Sequence, residues 1–173
     1  MLKMFTTQLS GLLTRLHSKE EAELENGARL LAQAAVGEGI IYIKGFNEMK
    51  GIAAEAIHGE EPLQSAQALL NAEELTIADR VLLVTRRSTD AEAIQLAQQL
   101  TDQFIPFVVI SGAVKDSEHD LVSLADVHLN TQIIKGILPA EDGTRFGFPS
   151  SIAALYLYHG LKFTIDEMIE DYE

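Results

Sequence analysis

The sequence predicts an α/β protein, a three-layer α-β-α sandwich with a central, mostly parallel, doubly wound sheet of flavodoxin-like type. Three observations carry that expectation. Ile40–Ile43, Val81–Val84 and Phe107–Ile110 are short apolar runs without polar alternation, which is how strands buried on both faces read. The segments between them are long enough for helices and repeat their apolar residues at helical spacing, so the units are βαβ rather than hairpins. At 173 residues the chain can bury one core and is short for two, so residues 1–173 are expected to form a single domain.

Taken in order, residues 4–17 place Phe5, Leu9, Leu12, Leu13 and Leu16 on one helical face. That face can dock on the chain's own core or on a partner subunit. Ser18 and Glu21 have capping-box spacing, so a second helix is expected from there to Ala35, ended by Gly37–Gly39. The first strand, Ile40–Ile43, leads into the loop Lys44–Lys50 and a helix from about Met49 to His58, broken by Gly59–Pro62. Residues 63–70 are expected to be helical. The strand Val81–Val84 follows, then a polar turn and a helix with Ala93, Ile94, Ala97 and Leu100 on one face. Pro106 bounds the strand Phe107–Ile110, which ends at Ser111-Gly112. Residues 124–129 are expected to be a short edge strand, and residues 135–149, rich in glycine and proline, an excursion over the surface. Helix returns over Ser150–His159, and a last one is expected after Thr164 with Glu167 as its capping pair.

Composition removes several classes of function. Against 13 Lys and Arg stand 26 Asp and Glu, a net charge of −13, which repels nucleic acid and anionic lipid. With no cysteine there is no disulfide, thiolate metal site or thiol catalysis. No apolar run approaches the roughly 20 residues of a membrane span, and the first residues lack a secretory core and cleavage site. A cytoplasmic protein with no nucleic-acid or membrane partner is the expectation. GxxxxGK[ST], GxGxxG, HExxH and GxSxG are all missing, and the five histidines are scattered. No cofactor and no metal are implied.

In parallel α/β sheets ligands sit at the carboxyl ends of the strands. Three turns qualify: Gly45–Met49, Thr85–Asp90 and Ser111–Gly112. The second is the richest. Arg86 and Arg87 are the only adjacent arginines in an acidic chain, and arginine binds phosphate bidentately. Thr85, Ser88 and Thr89 add hydroxyls beside a helix N-terminus, where unpaired N–H groups and the helix dipole favour an anion. Those five residues, with Gly45, Asn47 and Ser111 from the neighbouring turns, are the candidate phosphate or sugar ligands. Ordinary turn and cap chemistry accounts for the hydroxyls equally well, and Asp90 suits a helix cap. Glu48, in the first turn, would repel phosphate there.

The order of these pieces resembles the SIS (sugar isomerase) superfamily over roughly residues 20–165. The stretch Gly37-Glu38-Gly39-Ile40-Ile41-Tyr42-Ile43-Lys44-Gly45 is similar to its first strand and glycine turn. Ala78–Thr89 is similar to its second strand and phosphate loop, and Leu124-Ala125-Asp126-Val127-His128-Leu129 to its closing strand. The resemblance implies a phosphosugar ligand, a homodimer or larger homo-oligomer, and a phosphoheptose-isomerase-like catalytic histidine at His159 on a late helix. Glu55 and Glu60 are its candidate carboxylate partners for moving a proton between neighbouring carbons. There are departures. The family's Ser-x-Ser-Gly-x-Thr reads Thr85-Arg86-Arg87-Ser88-Thr89-Asp90 here. Met49 stands for a serine, Gly59 for the catalytic glutamate, and Ser151 for a glutamine eight residues before the histidine. Two readings follow: a sugar-phosphate binder that acts as an aldose–ketose isomerase, or a non-catalytic sensor or scaffold that has lost the isomerase residues. A binder of a nucleotide or another phosphate ester on a similar sheet is a third.

Overall fold

The computed structural model describes residues 1–172. Five parallel strands form the central sheet: β1 (Ile41–Gly45), β2 (Ala66–Ala68), β3 (Arg80–Arg87), β4 (Phe107–Gly112) and β5 (Val127–Asn130), in spatial order β2-β1-β3-β4-β5. Helices α1 (Leu2–Val36), α2 (Lys50–His58) and α5 (Ser150–Tyr172) cover one face. Helix α3 (Ala91–Asp102) and the single turn α4 (Leu121–Leu124) cover the other. The three-layer α-β-α sandwich expected from the sequence is therefore the observed architecture. Strand β3 shows why its apolar run has no polar alternation. Leu82 and Val84 pack under α1 and α5 while Val81 and Leu83 pack under α3, and all four are fully buried.

Three expected elements take a different form. The N-terminal segment is one 35-residue helix, not two. Leu9, Leu12, Leu16, Glu20, Gly27, Ala28 and Leu31 keep a single helical phase across the supposed break, and Ser18 Oγ donates to Arg15 O inside the helix instead of capping. The interruption in the apolar pattern is Glu20, a buried carboxylate that accepts Asn130 N–H at 3.1 Å, at the end of β5. Burial raises its pKa against that hydrogen bond. Gly27 and Gly160 bring α1 and α5 together, since a Cβ on either would lie 3.1 Å from a leucine methyl of the opposite helix.

Residues 63–70 hold the edge strand β2 rather than a helix. Ser65, at φ 61°, turns the chain out of helical geometry; Ile41 N–H then donates to Ser65 O and Leu69 N–H to Ile43 O. The late helix is also continuous from Ser150 to Tyr172, and Thr164 Oγ1 donates back to Gly160 O within it. The glycine-rich excursion carries a two-stranded hairpin, β6 (Leu138–Pro139) with β7 (Arg145–Phe146). Residues 124–129 divide between α4 and β5, and β5 is an edge strand as expected.

Two aspartates close the amino-terminal edge of the sheet. Asp79 accepts Ile40 N–H (2.9 Å), Thr76 N–H (2.8 Å) and Thr76 Oγ1 (3.0 Å), tying the entry of β3 to that of β1. Asp126 does the same for β4 through Phe107 N–H at 2.9 Å. Asp79 is buried, so replacing it with alanine strands its donors. Asp79→Ala should lose about 2–3 kcal/mol of stability in urea unfolding; a loss below about 0.5 kcal/mol would show the bridge to be dispensable.

Candidate functional site

The carboxyl ends of β1 and β3 carry the residues singled out from sequence. Gly45 ends β1, and the following turn Asn47–Met49 folds back so closely that a Cβ on Gly45 would lie 2.1 Å from Met49 O. Only glycine permits that path. Asn47 takes a left-handed φ of 52° and is exposed. The fold brings Glu48 of this turn onto Arg86 of the neighbouring strand in a two-pronged ion pair, Nε to Oε1 at 2.7 Å and Nη2 to Oε2 at 2.9 Å. The pair shifts both groups toward their charged forms. The Arg86 hydrogen bond lowers the Glu48 carboxyl, and Glu48 raises the Arg86 guanidinium. Glu48 therefore does not leave the first turn negative; it takes up the charge of one arginine.

Between Val84 and Arg87 the β3–β4 register shifts, an irregularity that re-aims the strand end. Beyond it the hydroxyls divide. Thr85 is fully buried and donates its hydroxyl to Asp90 Oδ2, a short contact. The same oxygen accepts Arg87 N–H at 3.3 Å. Asp90 occupies the N-cap position of α3, as its place in the sequence suggests, yet its side chain makes no cap bond there. Ser88 is buried and its Oγ accepts Val114 N–H at 2.9 Å. Thr89 is exposed. Arg87 is exposed and makes no ion pair among the described residues. Arg86, Arg87, Glu48 and Asp90 thus sum to zero formal charge.

Beside these groups opens a pocket of about 390 Å³ lined by Glu48, Arg86, Arg87, Phe148, Ser150 and Ser151. Its far wall is the N-terminus of α5. Ala153 N–H bonds back to Pro149 O, so the N–H groups of the three residues between lie in the unpaired first turn. Ser150 is buried, 3% exposed, and its Oγ has no hydrogen-bond partner among the described residues. Ser150 and Phe148 were not anticipated from sequence; a hydroxyl opening a long helix just after a proline was the only signal for Ser150.

Other expected site residues lie elsewhere. Ser111 is buried, with Oγ 2.7 Å from His128 Nε2. His159 lies on α5, nine residues past Ser150 and so about 14 Å further along the axis. Its ring lies between Tyr158 and Phe163, at 5.4 and 5.7 Å, and Nδ1 is buried without a partner. Glu55 lies on α2, and its charge helps raise the Tyr158 hydroxyl pKa after the larger effect of burial. Glu60 is exposed just beyond that helix. None of the three lines the pocket. Among the described residues no group of three or more His, Asp or Glu is placed to hold a metal ion, and no helix is long and apolar enough to cross a membrane.

A family model described as Domain of unknown function (DUF2529) matches residues 1–169. Uncharacterized protein YwjG of Bacillus subtilis is 44% identical over 173 residues, covering 99% of both chains. Among solved structures, the Vibrio vulnificus NanR protein complexed with ManNAc-6P is 18% identical with a TM-score of 0.69, over 96% of this chain and 62% of that one. Phosphoheptose isomerase GmhA from Neisseria gonorrhoeae is 15% identical with a TM-score of 0.63, over 94% and 95%. These likenesses establish a shared sugar-isomerase fold.

The half-buried His128, outside the pocket, carries a measurable pH signature. Burial pushes its pKa down to about 4, so the ring is neutral in the native state at pH 7. Unfolded, the same ring takes a proton near 6.5, so its contribution to stability is intact above that pH and shrinks as the pH falls toward 4. The native state should lose up to about 3 kcal/mol over that window on this account. An NMR titration should show no His128 ring shift down to pH 5.5; a midpoint near 6.5 would contradict it.

Proposed function

We propose, for a chain that belongs to the DUF2529 family and carries the sugar-isomerase fold, that it binds a phosphorylated sugar without converting it. One observation carries the reading: a pocket of ligand size at the carboxyl ends of β1 and β3 is lined by Arg87, which makes no ion pair among the described residues, and by Ser150, whose Oγ is buried without a partner among them. Pocket position follows the general rule for α/β sheets, and a few convergent polar groups on a partly apolar wall suit a small polar ligand. NanR, of the same fold, is complexed with ManNAc-6P.

The non-catalytic part of the reading rests on what the pocket lacks. Moving a proton between adjacent carbons needs a base that titrates near neutrality. Among the lining residues the one carboxylate is Glu48, and Arg86 holds it ionised and below its ordinary range. Such a carboxylate is a weak base. His159, Glu55 and Glu60, the catalytic candidates from the resemblance, lie outside the lining. Sensing or scaffolding of a phosphosugar fits these residues better than isomerisation.

Phosphosugars should raise the melting temperature of the protein, and Arg87→Ala should weaken their binding at least tenfold, about 1.4 kcal/mol. No response to any member of a broad phosphosugar panel would remove the reading. Proton exchange at the sugar's C1 or C2 with solvent deuterium would instead restore the isomerase.

A second copy of the chain is the proposed cover for the apolar side chains left open on the helical layer: Leu2 and Met4 on α1, Ile152 and Phe163 on α5. Sedimentation velocity at micromolar concentration should show a dimer or larger; a monomer would contradict this.

A further inference from the structure

We infer that Asp90 is a built-in anion: its carboxylate occupies two donors that the β3–α3 turn would offer a phosphate, the Thr85 hydroxyl and Arg87 N–H, and this places the acidic group of a ligand on the opposite wall, at Ser150 and the first turn of α5. The inference deepens the proposed binding function and rests on it for the use of the pocket. The occupancy of the turn stands on Asp90 alone.

A strand-to-helix turn attracts an anion through its hydroxyls and the free N–H groups ahead of the helix. Here the Thr85 hydroxyl and Arg87 N–H already have an anion. An N-cap carboxylate ordinarily accepts an N–H two or three residues into its own helix. Asp90 makes no such bond. It turns back instead, taking the Thr85 hydroxyl and Arg87 N–H on one oxygen. Thr85 is fully buried, and this is its side chain's one hydrogen bond among the described residues. Ser88 Oγ accepts Val114 N–H. A phosphate entering the turn would find the Thr85 hydroxyl already donated and would face a carboxylate, a like charge at close range.

Across the pocket the conditions reverse. Helix α5 is 23 residues long, so its N-terminus carries a developed dipole. Pro149 has no N–H, and the first intrahelical bond closes only at Ala153. Ser150 Oγ is buried without a partner, on a residue that lines the pocket. Arg87 shares that lining with no carboxylate paired to it. A phosphate or other acidic group of a sugar seated there would receive a hydroxyl, helix N–H groups and a guanidinium, and would leave the Asp90–Thr85 bond intact.

The test uses inorganic phosphate as probe, read by phosphorus NMR line broadening and thermal shift. Asp90→Thr and Asp90→Ala should each bind inorganic phosphate at least tenfold more tightly than the unmodified protein, and adding Thr85→Val should remove the gain. Folded Asp90 variants, checked by circular dichroism, that bind phosphate no better than the unmodified protein would overturn the inference. Thr85→Val alone decides the case if neither Asp90 variant folds. An unchanged phosphate response of the otherwise unmodified protein supports a filled turn, and a lost response overturns it. Ser150→Ala should abolish most of the melting-temperature shift given by phosphosugars; a full shift in that variant places the anion elsewhere and overturns the α5 assignment. Absence of any phosphosugar response in the unmodified protein would count against the binding function, while the Asp90 arm would still read the turn.

Discussion

A parallel sheet buried on both faces exposes backbone polarity at the ends of its strands and along its two edges, and the strand ends govern this molecule. Each strand end must close its donors and acceptors with side chains or neighbouring backbone, or present them to a ligand. At the amino-terminal edge Asp79 and Asp126 do the closing. At the carboxyl edge β5 is closed by Glu20 on Asn130 N–H, and the chain after β4 by Asn130 Oδ1, which accepts Ala113 N–H. The corner between β1, β3 and the start of α5 holds the pocket.

Charge at that corner is balanced within the protein. Glu48 neutralises Arg86 from the neighbouring turn, and Asp90 sits inside the turn that carries Arg87. A chain of net −13 gains little long-range attraction for a phosphate from such a corner. The proposed binding draws on short-range geometry: one guanidinium, a buried hydroxyl and a helix N-terminus. The fold is shared with the sugar-isomerase structures, while at this corner Glu48 and Asp90 take up polar groups of the turns.

The strands were legible because burial on both faces writes the same unbroken apolar run wherever it occurs, and β1, β3 and β4 all show it. The helices were legible in kind but not in length. Capping patterns at Ser18/Glu21 and Thr164/Glu167 are local signals, and in both places an intact helical phase with tertiary packing overrides them. Strand β2 was hidden because its register is set by β1 and by the left-handed Ser65, neither of which the segment's own composition reports. At the site, sequence located the arginines and the hydroxyls but not their partners. Glu48 meets Arg86, 38 residues later, only because β1 and β3 are neighbours in the sheet. Thr85 and Asp90 were each visible, and the bond between them was not. Ser150 belongs to the pocket because α5 starts there, which no local pattern announces.

A crystal structure of the protein grown with a phosphosugar tests the central claim most directly. The account predicts the phosphate within hydrogen-bond distance of Ser150 Oγ or the Arg87 guanidinium, with the Asp90 carboxylate still holding the Thr85 hydroxyl. A phosphate seated among Thr85, Ser88 and Thr89, with Asp90 swung out of the turn, would contradict it.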